Sequence, residues 1–248
     1  MLYGEDWLWA AYGRMLHSVR TGDAAFAQVH GMSFYDFLER HSEPATQFQE
    51  GITAYSHLEA SAIAEAYTFA ENATVVDIGG ARGTLLALLL AAHPTLNGVL
   101  FDQPEVVPAA QRAFAEAGLT ARARGVGGDF FSSVPSGGDV YVLKSVLHNW
   151  DDEDAGRILR SCRRAMAPSA RLLLAERIVP IGNTPSEATL FDINMLVVVG
   201  GRERTEAEYR ELLEKSGFAV VRTMATKSPL SVMEAQPSPA DHLLRPGQ

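Results

Sequence analysis

The sequence predicts an α/β fold, with a mostly parallel β-sheet, helices on both of its faces, a helical segment before it and an antiparallel strand pair at its end. From residue 73 onward, short β-branched runs alternate with helical stretches, which is the pattern of parallel strands joined by crossover helices. Near the end, two strand-like runs are separated only by residues 227–229. That connection is too short for a helical crossover, so these two strands should pair antiparallel.

Taken in order, residues 1–70 carry helical patterns and many aromatic side chains but no convincing strand. The alternation then runs through strand ATVVDIG, helix GTLLALLLAAHP, strand NGVLFD, helix VVPAAQRAFAEAGL and strand DVYVLK. A helix from Asp151 to Met166 follows, with acids in its first turn where the helix dipole favours them, and then strand ARLLLAERIV. A capping-box pattern at Thr205 opens a helix that Gly217 closes, before the strands FAVVRTMAT and LSVMEAQ.

These patterns divide the chain into a helical segment (1–70), a sheet domain (71–236) and a Pro-rich tail (237–248) that we expect to be flexible.

The 248 residues carry a net charge of -9 and no basic run, which argues against a nucleic-acid partner. No apolar run approaches the roughly 20 residues that span a bilayer, and no signal-peptide core opens the chain. The single cysteine, Cys162, fits a reducing compartment. We therefore expect a cytoplasmic protein without a membrane partner.

The first pattern with chemical meaning is VVDIGGARG, in which a strand ends at Asp77 and a glycine turn leads into a helix. Gly79 and Gly80 would let the backbone approach a ligand, and the helix start offers free N–H groups. The spacing does not fit the dinucleotide fingerprint, whose first glycine would fall on Ile78. An acid just before the turn suits a cationic ligand better than a pyrophosphate. A glycine turn used only for helix–strand packing is the alternative.

Two further acids follow at strand ends. Asp102 lies at about the 20-residue spacing from the glycine turn at which an acid reaches ribose hydroxyls. Asp129 precedes Phe130 and Phe131, and an acid beside an aromatic can accept from an exocyclic amine while the ring packs on a base. Each acid alone could be a solvated charge, and each phenylalanine a core residue. Three acids in series with a glycine turn favour a ligand.

Six motifs resemble those of a known family and occur in the same order. They are VVDIGGARG, FDQPEVV, GDFF, LKSVLHNWDDE, LLLAERIVP and MLVVVGGRERTEAEYRELLEKSGF. They are similar to the S-adenosylmethionine-dependent O-methyltransferases of the caffeic-acid and bacterial polyketide-tailoring type. The resemblance runs from about Trp7 to Ala235. It implies the class I methyltransferase Rossmann-like sheet, S-adenosyl-L-methionine as cofactor with S-adenosyl-L-homocysteine as product, and a small aromatic acceptor.

The resemblance also implies residue roles. It makes His148 the general base, flanked and oriented by Glu176 and Glu203, and it places Met195 and Asn149 on the acceptor side. Trp150 and Met195 could equally be packing residues, and no metal site is expected. The residues implied on the cofactor side are Asp77, Gly79, Gly80, Asp102, Gly128, Asp129, Phe130, Lys144 and Trp150.

Elementary chemistry supports the role of His148. A hydroxyl is a poor nucleophile while protonated, and a histidine with a pKa of about 6.5 can take its proton at neutral pH. A carboxylate on the other ring nitrogen would fix the tautomer and stabilise the imidazolium. Glu203 suits that task because it follows a Gly-Gly turn, where an acid has no packing reason to be. The alternatives are a structural histidine at a buried turn and a solvated charge at 203.

The chain departs from the family pattern in three places. Ala81 stands where another glycine is usual, and Asn149 stands where plant members have an aspartate. The family's N-terminal winged-helix-like segment, which builds the dimer, is mostly missing from this sequence. The homodimer usual in the family is therefore doubtful for the chain as given, and we expect a monomer or a weak dimer.

Other functions remain open at this point. A family relative could keep the cofactor site but perform hydroxylation or decarboxylation, or have no catalytic activity. An NAD-dependent oxidoreductase would share the sheet and Asp102, but it should show the dinucleotide glycine spacing and gives no reason for Asp77. Nothing in the sequence identifies the acceptor or the hydroxyl that is methylated.

Overall fold

The computed structural model describes residues 5–182 and 184–239, and this part of the chain forms a seven-stranded sheet of order β3-β2-β1-β4-β5-β7-β6. Strands β1 to β5 are parallel, whereas β7 pairs antiparallel with both β5 and β6. The predicted fold class, including the reversed terminal strands, is confirmed. The strands are β1 (Thr74–Ile78), β2 (Asn97–Asp102), β3 (Ala123–Gly127), β4 (Val140–Lys144), β5 (Arg171–Glu176), β6 (Phe218–Ala225) and β7 (Ser231–Pro237).

Helices cover both faces of this sheet. Alternate strand residues supply the two apolar faces, so that Val75 and Val142 lie in one core and Val76 and Tyr141 in the other. Helices α5 to α7 pack on the first face, and α8 and α10 pack on the second. These helices are α5 (Ser42–Ala66), α6 (Thr84–Ala92), α7 (Val107–Glu116), α8 (Asp152–Ala165) and α10 (Glu206–Lys215).

The remaining helices form a third apolar cluster beyond the sheet, in which Phe26, Phe34 and Phe37 are buried. The Trp7 ring stacks on Phe34 and Phe37, with ring centroids 6.2 and 5.8 Å apart. Val197 joins the same cluster, so segments from both ends of the chain pack together. These helices are α1 (Asp6–Tyr12), α2 (Met15–Thr21), α3 (Ala25–His30), α4 (Phe34–Arg40) and α9 (Glu187–Val198).

The sequence analysis placed Asp129 at a strand end but gave no bounds for that strand, which is β3. Its sequence, Ala-Arg-Gly-Val-Gly, holds two glycines, which weaken any strand pattern, and β3 lies at the edge of the sheet. Gly125 leaves no room for a Cβ, which would lie 2.5 Å from Cγ1 of Val107. The glycine therefore reflects close packing against α7 rather than a break in the strand.

The ordered chain continues past the predicted start of the tail. Pro237 is the last residue of β7, and the Ser238 N–H donates to the Gly217 carbonyl at 2.9 Å. The guanidinium of Arg163 donates to the Ser238 carbonyl at 3.0 Å. The rest of the predicted tail, residues 240–248, lies outside the described residues. None of the helices among the described residues combines the length and apolarity that crossing a membrane requires.

Candidate active site

The predicted site residues come together at the carboxyl edge of the parallel strands, where open α/β sheets bind their ligands. β1 leads into the glycine turn, β2 ends at Asp102, β4 at Lys144 and β5 at Glu176. Because β2 and β4 are the hydrogen-bonded neighbours of β1, and β5 lies next to β4, the ends of these four parallel strands meet at one edge.

The glycine turn is shaped by contacts that only glycine tolerates. Gly79 has a φ of +70°, and a Cβ there would lie 2.9 Å from Cγ2 of Val146. A Cβ on Gly80 would lie 2.5 Å from Oδ2 of Asp77. The backbone therefore passes directly over the Asp77 carboxylate.

Asp77 carries a polar atom that lacks a partner. Its Oδ2 is buried and has no hydrogen-bond partner among the described residues. Burial raises the pKa of Asp77 to about 7, and the nearby charge of Lys144 opposes this rise. A buried carboxylate oxygen under a glycine turn fits a cationic group such as the ammonium of a methionyl moiety.

Asp102 is held in place by two backbone N–H groups. Ala81 donates to Oδ2 at 2.8 Å and Gln103 donates to Oδ1 at 2.7 Å. Burial raises the pKa of Asp102, and these two hydrogen bonds oppose the rise. The carboxylate is thereby fixed beside the glycine turn, where hydroxyl groups of a ribose could donate to it.

The Asp129 region is occupied by contacts within its own turn. Asp129 accepts from the Phe131 N–H at 2.9 Å and from the Ser132 hydroxyl at 3.0 Å. Phe130 and Phe131 pack edge-on against Trp150, with centroids 6.0 and 4.8 Å away. The predicted adenine contacts of Asp129, Phe130 and Trp150 stay predictions, because these groups have local partners that also account for them.

Gly128 and Lys144 complete the predicted cofactor side. A Cβ on Gly128 would lie 2.7 Å from the Phe101 ring, so close packing explains this glycine. The Nζ of Lys144 donates to Oε2 of Glu59 at 2.9 Å. The partner of Lys144 is therefore a residue of α5 that no motif indicated.

The catalytic candidates form a buried group of three. His148 lies in a 3-10 turn, Leu147–Asn149, and is only 6% exposed. Its Nδ1 lies 2.8 Å from Oε1 of Glu203 and 3.6 Å from Oε2 of Glu176. The other oxygen of Glu176 accepts from the N–H groups of Val146 and Leu147 at 3.0 and 2.8 Å. Glu176 thus both caps the turn and faces the ring.

The charges of this group favour a proton on His148. Burial disfavours the imidazolium, but the carboxylates of Glu176 and Glu203 outweigh burial and raise the pKa of His148. Burial also raises the pKa of Glu176 to about 7. With Nδ1–H donating to Glu203, Nε2 is the nitrogen left to accept a proton.

These three residues are also of metal-ligand type, and their ligand atoms lie within 4.8 Å of one another. Both carboxylates, however, converge on the same ring nitrogen. A metal ion would have to replace the Nδ1 proton that the 2.8 Å hydrogen bond accommodates. The geometry is that of a proton-holding group.

Sequence reasoning assigned no role to three residues that fix the position of the histidine, two arginines and a glycine. Arg204 is fully buried and donates to the carbonyls of Leu147 and Trp150 at 3.1 and 2.9 Å, on either side of His148. The Arg202 N–H donates to the His148 carbonyl at 2.8 Å, and a Cβ on Gly201 would lie 2.1 Å from that oxygen. An arginine in a charged loop gives no sequence signal of burial, whereas the Gly-Gly pair could have indicated a close approach.

The predicted acceptor-side residues lie next to the N-terminal helices. The Asn149 amide donates to the carbonyls of Ser145 and Val146 at 3.4 and 3.3 Å, and its Oδ1 accepts from the Tyr35 hydroxyl at 3.3 Å. Met195 is buried on α9, and its neighbour Asn194 accepts a hydrogen bond from the Tyr12 hydroxyl. Helix α4 therefore contacts the residue next to His148, and α1 contacts α9, the helix that carries Met195.

The O-methyltransferase domain family matches residues 12–219. The chain belongs to the O-methyltransferase family. Phenazine O-methyltransferase PhzM of Lysobacter antibioticus is 43% identical over 237 residues, covering 96% of this chain and 69% of the relative. The resemblance seen in the sequence motifs is confirmed.

A solved O-methyltransferase structure has a similar fold and contains S-adenosylmethionine. NcsB1 from neocarzinostatin biosynthesis, in complex with S-adenosylmethionine and 2-hydroxy-5-methyl naphthoic acid, matches with a TM-score of 0.82 at 36% identity. The match covers 92% of this chain and 68% of NcsB1. S-adenosylmethionine is accordingly the cofactor of this family, and the unpartnered Asp77 oxygen and the oriented Asp102 carboxylate fit it.

One relative of the chain is named as a hydroxylase rather than as a methyltransferase. Aclacinomycin 10-hydroxylase RdmB of Streptomyces purpurascens is 37% identical over 212 residues, covering 85% of this chain and 57% of the relative. The chain spans 62–69% of the length of the first three curated relatives that it matches.

Proposed function

We propose that this O-methyltransferase family member transfers a methyl group from S-adenosylmethionine to a hydroxyl of a small aromatic or polyketide-like natural product, with His148 as general base. The observation that carries the proposal is the pair of buried carboxylates on Nδ1 of His148. When bound, S-adenosylmethionine supplies an electrophilic methyl group and leaves as S-adenosylhomocysteine.

The chain's own residues then have defined tasks. His148 Nε2 takes the proton of the acceptor hydroxyl, and Glu203 stabilises the imidazolium that forms. Glu176 orients the ring because it also holds the two N–H groups that precede it. On the cofactor side, Asp77 binds the ammonium group and Asp102 binds the ribose hydroxyls.

An aromatic acceptor is supported by the relatives and by the residues beside His148. PhzM is named for a phenazine, and NcsB1 is solved with a naphthoic acid. Tyr35 offers an exposed aromatic ring whose hydroxyl donates to Asn149, the residue after His148. The identity of the ring system and the cytoplasmic location expected from the sequence remain predictions.

Replacing His148 tests the proposal. We expect His148→Gln to leave the affinity for S-adenosylhomocysteine intact and to lower kcat by about 10² or more with a weakly acidic phenol. The wild-type rate should rise with pH through an apparent pKa above that of a free histidine, because the carboxylates raise the pKa of His148. Glu203→Gln should move this rise to lower pH and lower kcat by less than His148→Gln does. Product masses and initial rates provide the measurement.

His57→Gln, at an exposed histidine of α5, is the matched control and should behave as wild type. A His148→Gln variant that stays nearly as fast with the less acidic of two phenols would show that His148 is structural.

The likeness to RdmB makes hydroxylation the second candidate function. Product that gains the mass of an oxygen, in the presence of a reductant and air, rather than the mass of a methylene would favour that activity.

A further inference from the structure

Glu59 of α5 is a buried carboxylate that bridges two cations from neighbouring strands. Its Oε2 accepts from Nζ of Lys144 and its Oε1 accepts from Nη2 of Arg177, both at 2.9 Å. The side chains of Glu59 and Arg177 are only 4% and 3% exposed. Buried charges are retained when they are paired, so this bridge stabilises both cations where they lie.

The two cations act on different halves of the candidate site. Lys144 ends β4, and its charge opposes the rise in the pKa of Asp77 on the cofactor side. Arg177 directly follows Glu176, and its charge lowers the pKa of His148 on the acceptor side. One carboxylate of α5 therefore partly neutralises the charges that both Asp77 and His148 experience.

The same bridge connects the helices that surround the site. The Arg177 guanidinium lies over the Phe191 ring of α9, 3.9 Å from its centroid. Glu59 itself lies 118 residues before Arg177 in the chain. A change at Glu59 would therefore reach α5, α9 and the ends of β4 and β5 together.

We propose that Glu59 is a positioning residue, which holds Lys144 and Arg177 against α5 and thereby tunes the charge at both the cofactor carboxylate and the base. The inference rests on the proposed function and adds to it a link between the two halves of the site. Glu59 acts through these two cations rather than by contact with the reacting atoms.

The direction of the effect follows from the groups that face His148. These are Glu176 at the end of β5, Glu203 in the turn before α10, and Arg177. Removing the negative charge of Glu59 leaves Arg177 and Lys144 less neutralised. The added positive potential should lower the pKa of His148 and that of Asp77.

The test compares Glu59→Gln with Glu65→Gln. Glu65 lies on the same helix, α5, and its exposed carboxylate pairs with Lys227. The His148 ring is titrated by NMR in the full chain with S-adenosylhomocysteine, its signals assigned by their loss in His148→Gln. Glu59→Gln should lower the pKa of His148 by at least about 0.5, whereas Glu65→Gln should leave it unchanged. Glu59→Asp keeps the charge with a shorter reach and should restore most of the difference.

Calorimetry and kinetics provide the second readout. The rise of cofactor affinity with pH should move to lower pH in Glu59→Gln, because the ionised form of Asp77 is favoured. The rise of kcat with pH should move in the same direction. A Glu59→Gln variant that loses rate without either change would overturn the inference, since a structural role alone would do that.

A further variant keeps the idea testable if Glu59→Gln does not fold. Lys144→Gln removes one of the two cations that Glu59 neutralises, so the remaining negative charge should raise the pKa of His148. An unchanged His148 titration in this variant would equally overturn the inference. Both titrations are measured without turnover, so a chain that fails to methylate would refute the proposed function and leave this result standing.

Discussion

Ala81 adopts a backbone conformation that costs energy for any residue with a side chain. Its φ is +49°, and its N–H donates to Oδ2 of Asp102 at 2.8 Å. The left-handed region costs an L-residue about 1–2 kcal/mol, which glycine avoids. The chain tolerates this strain at a position where its N–H orients the Asp102 carboxylate.

Replacing this alanine by glycine should therefore stabilise the protein. We expect Ala81→Gly to raise the free energy of unfolding by about 0.5–1 kcal/mol, the relieved strain less the greater entropy of glycine in the unfolded chain. Urea denaturation measures it. The control Ala113→Gly, in the middle of α7, should instead cost about 1 kcal/mol. A destabilised Ala81→Gly variant would show that the turn is not strained.

The element that decides the geometry of the base is the 3-10 turn between β4 and α8. It has only three residues, and its own hydrogen bonds are few. Glu176 binds its leading N–H groups, and Arg204 binds the carbonyls of Leu147 and Trp150. The turn is thus held from outside, by groups that come from β5 and from the segment before α10.

Arg204→Lys should loosen this element while keeping its charge. A lysine ammonium cannot donate to both carbonyls and to Asp152 in the planar arrangement of the guanidinium. We expect a loss of about 2 kcal/mol in the free energy of unfolding, from buried carbonyls left without a donor, and a several-fold lower kcat. Arg210→Lys, at an exposed pair on α10, serves as control. Equal stability and kcat in the two variants would contradict this role.

At the scale of the whole molecule, a buried acid makes stability depend on pH. Burial raises the pKa of Asp77 to about 7, from 3.8. The unfolded chain releases this proton near pH 4, whereas the folded protein keeps it to about pH 7. The associated stability is therefore present below the unfolded pKa and is lost as the pH rises through 7.

We expect the free energy of unfolding to fall between pH 5.5 and pH 8 in the protein without cofactor. Denaturation curves at the two pH values measure the difference. Asp77→Asn should reduce the fall, because this titrating group is gone. Stability that rises towards pH 8 would contradict the burial of Asp77 in its protonated form.

Much of the fold was predictable because its signals are local. Strand NGVLFD and the capping box at Thr205 were predicted with their observed bounds, since alternation and capping depend on neighbouring residues. The carboxyl ends of parallel strands meet at one edge, so Asp77, Asp102 and His148 were also predicted to be near one another. The bounds of strand β3 were not predicted, because two glycines hide its pattern.

The amino-acid pattern was thus sufficient to predict the order of the elements, the edge that holds the site and the residue types placed there. The partners of those residues are visible only in the folded chain. Lys144 pairs with Glu59 from 85 positions away, and Arg204 is buried against the turn that carries His148. Such pairs form because packed helices bring distant buried charges together, and a buried charge must find a partner. A local sequence pattern therefore cannot predict which distant residues pair.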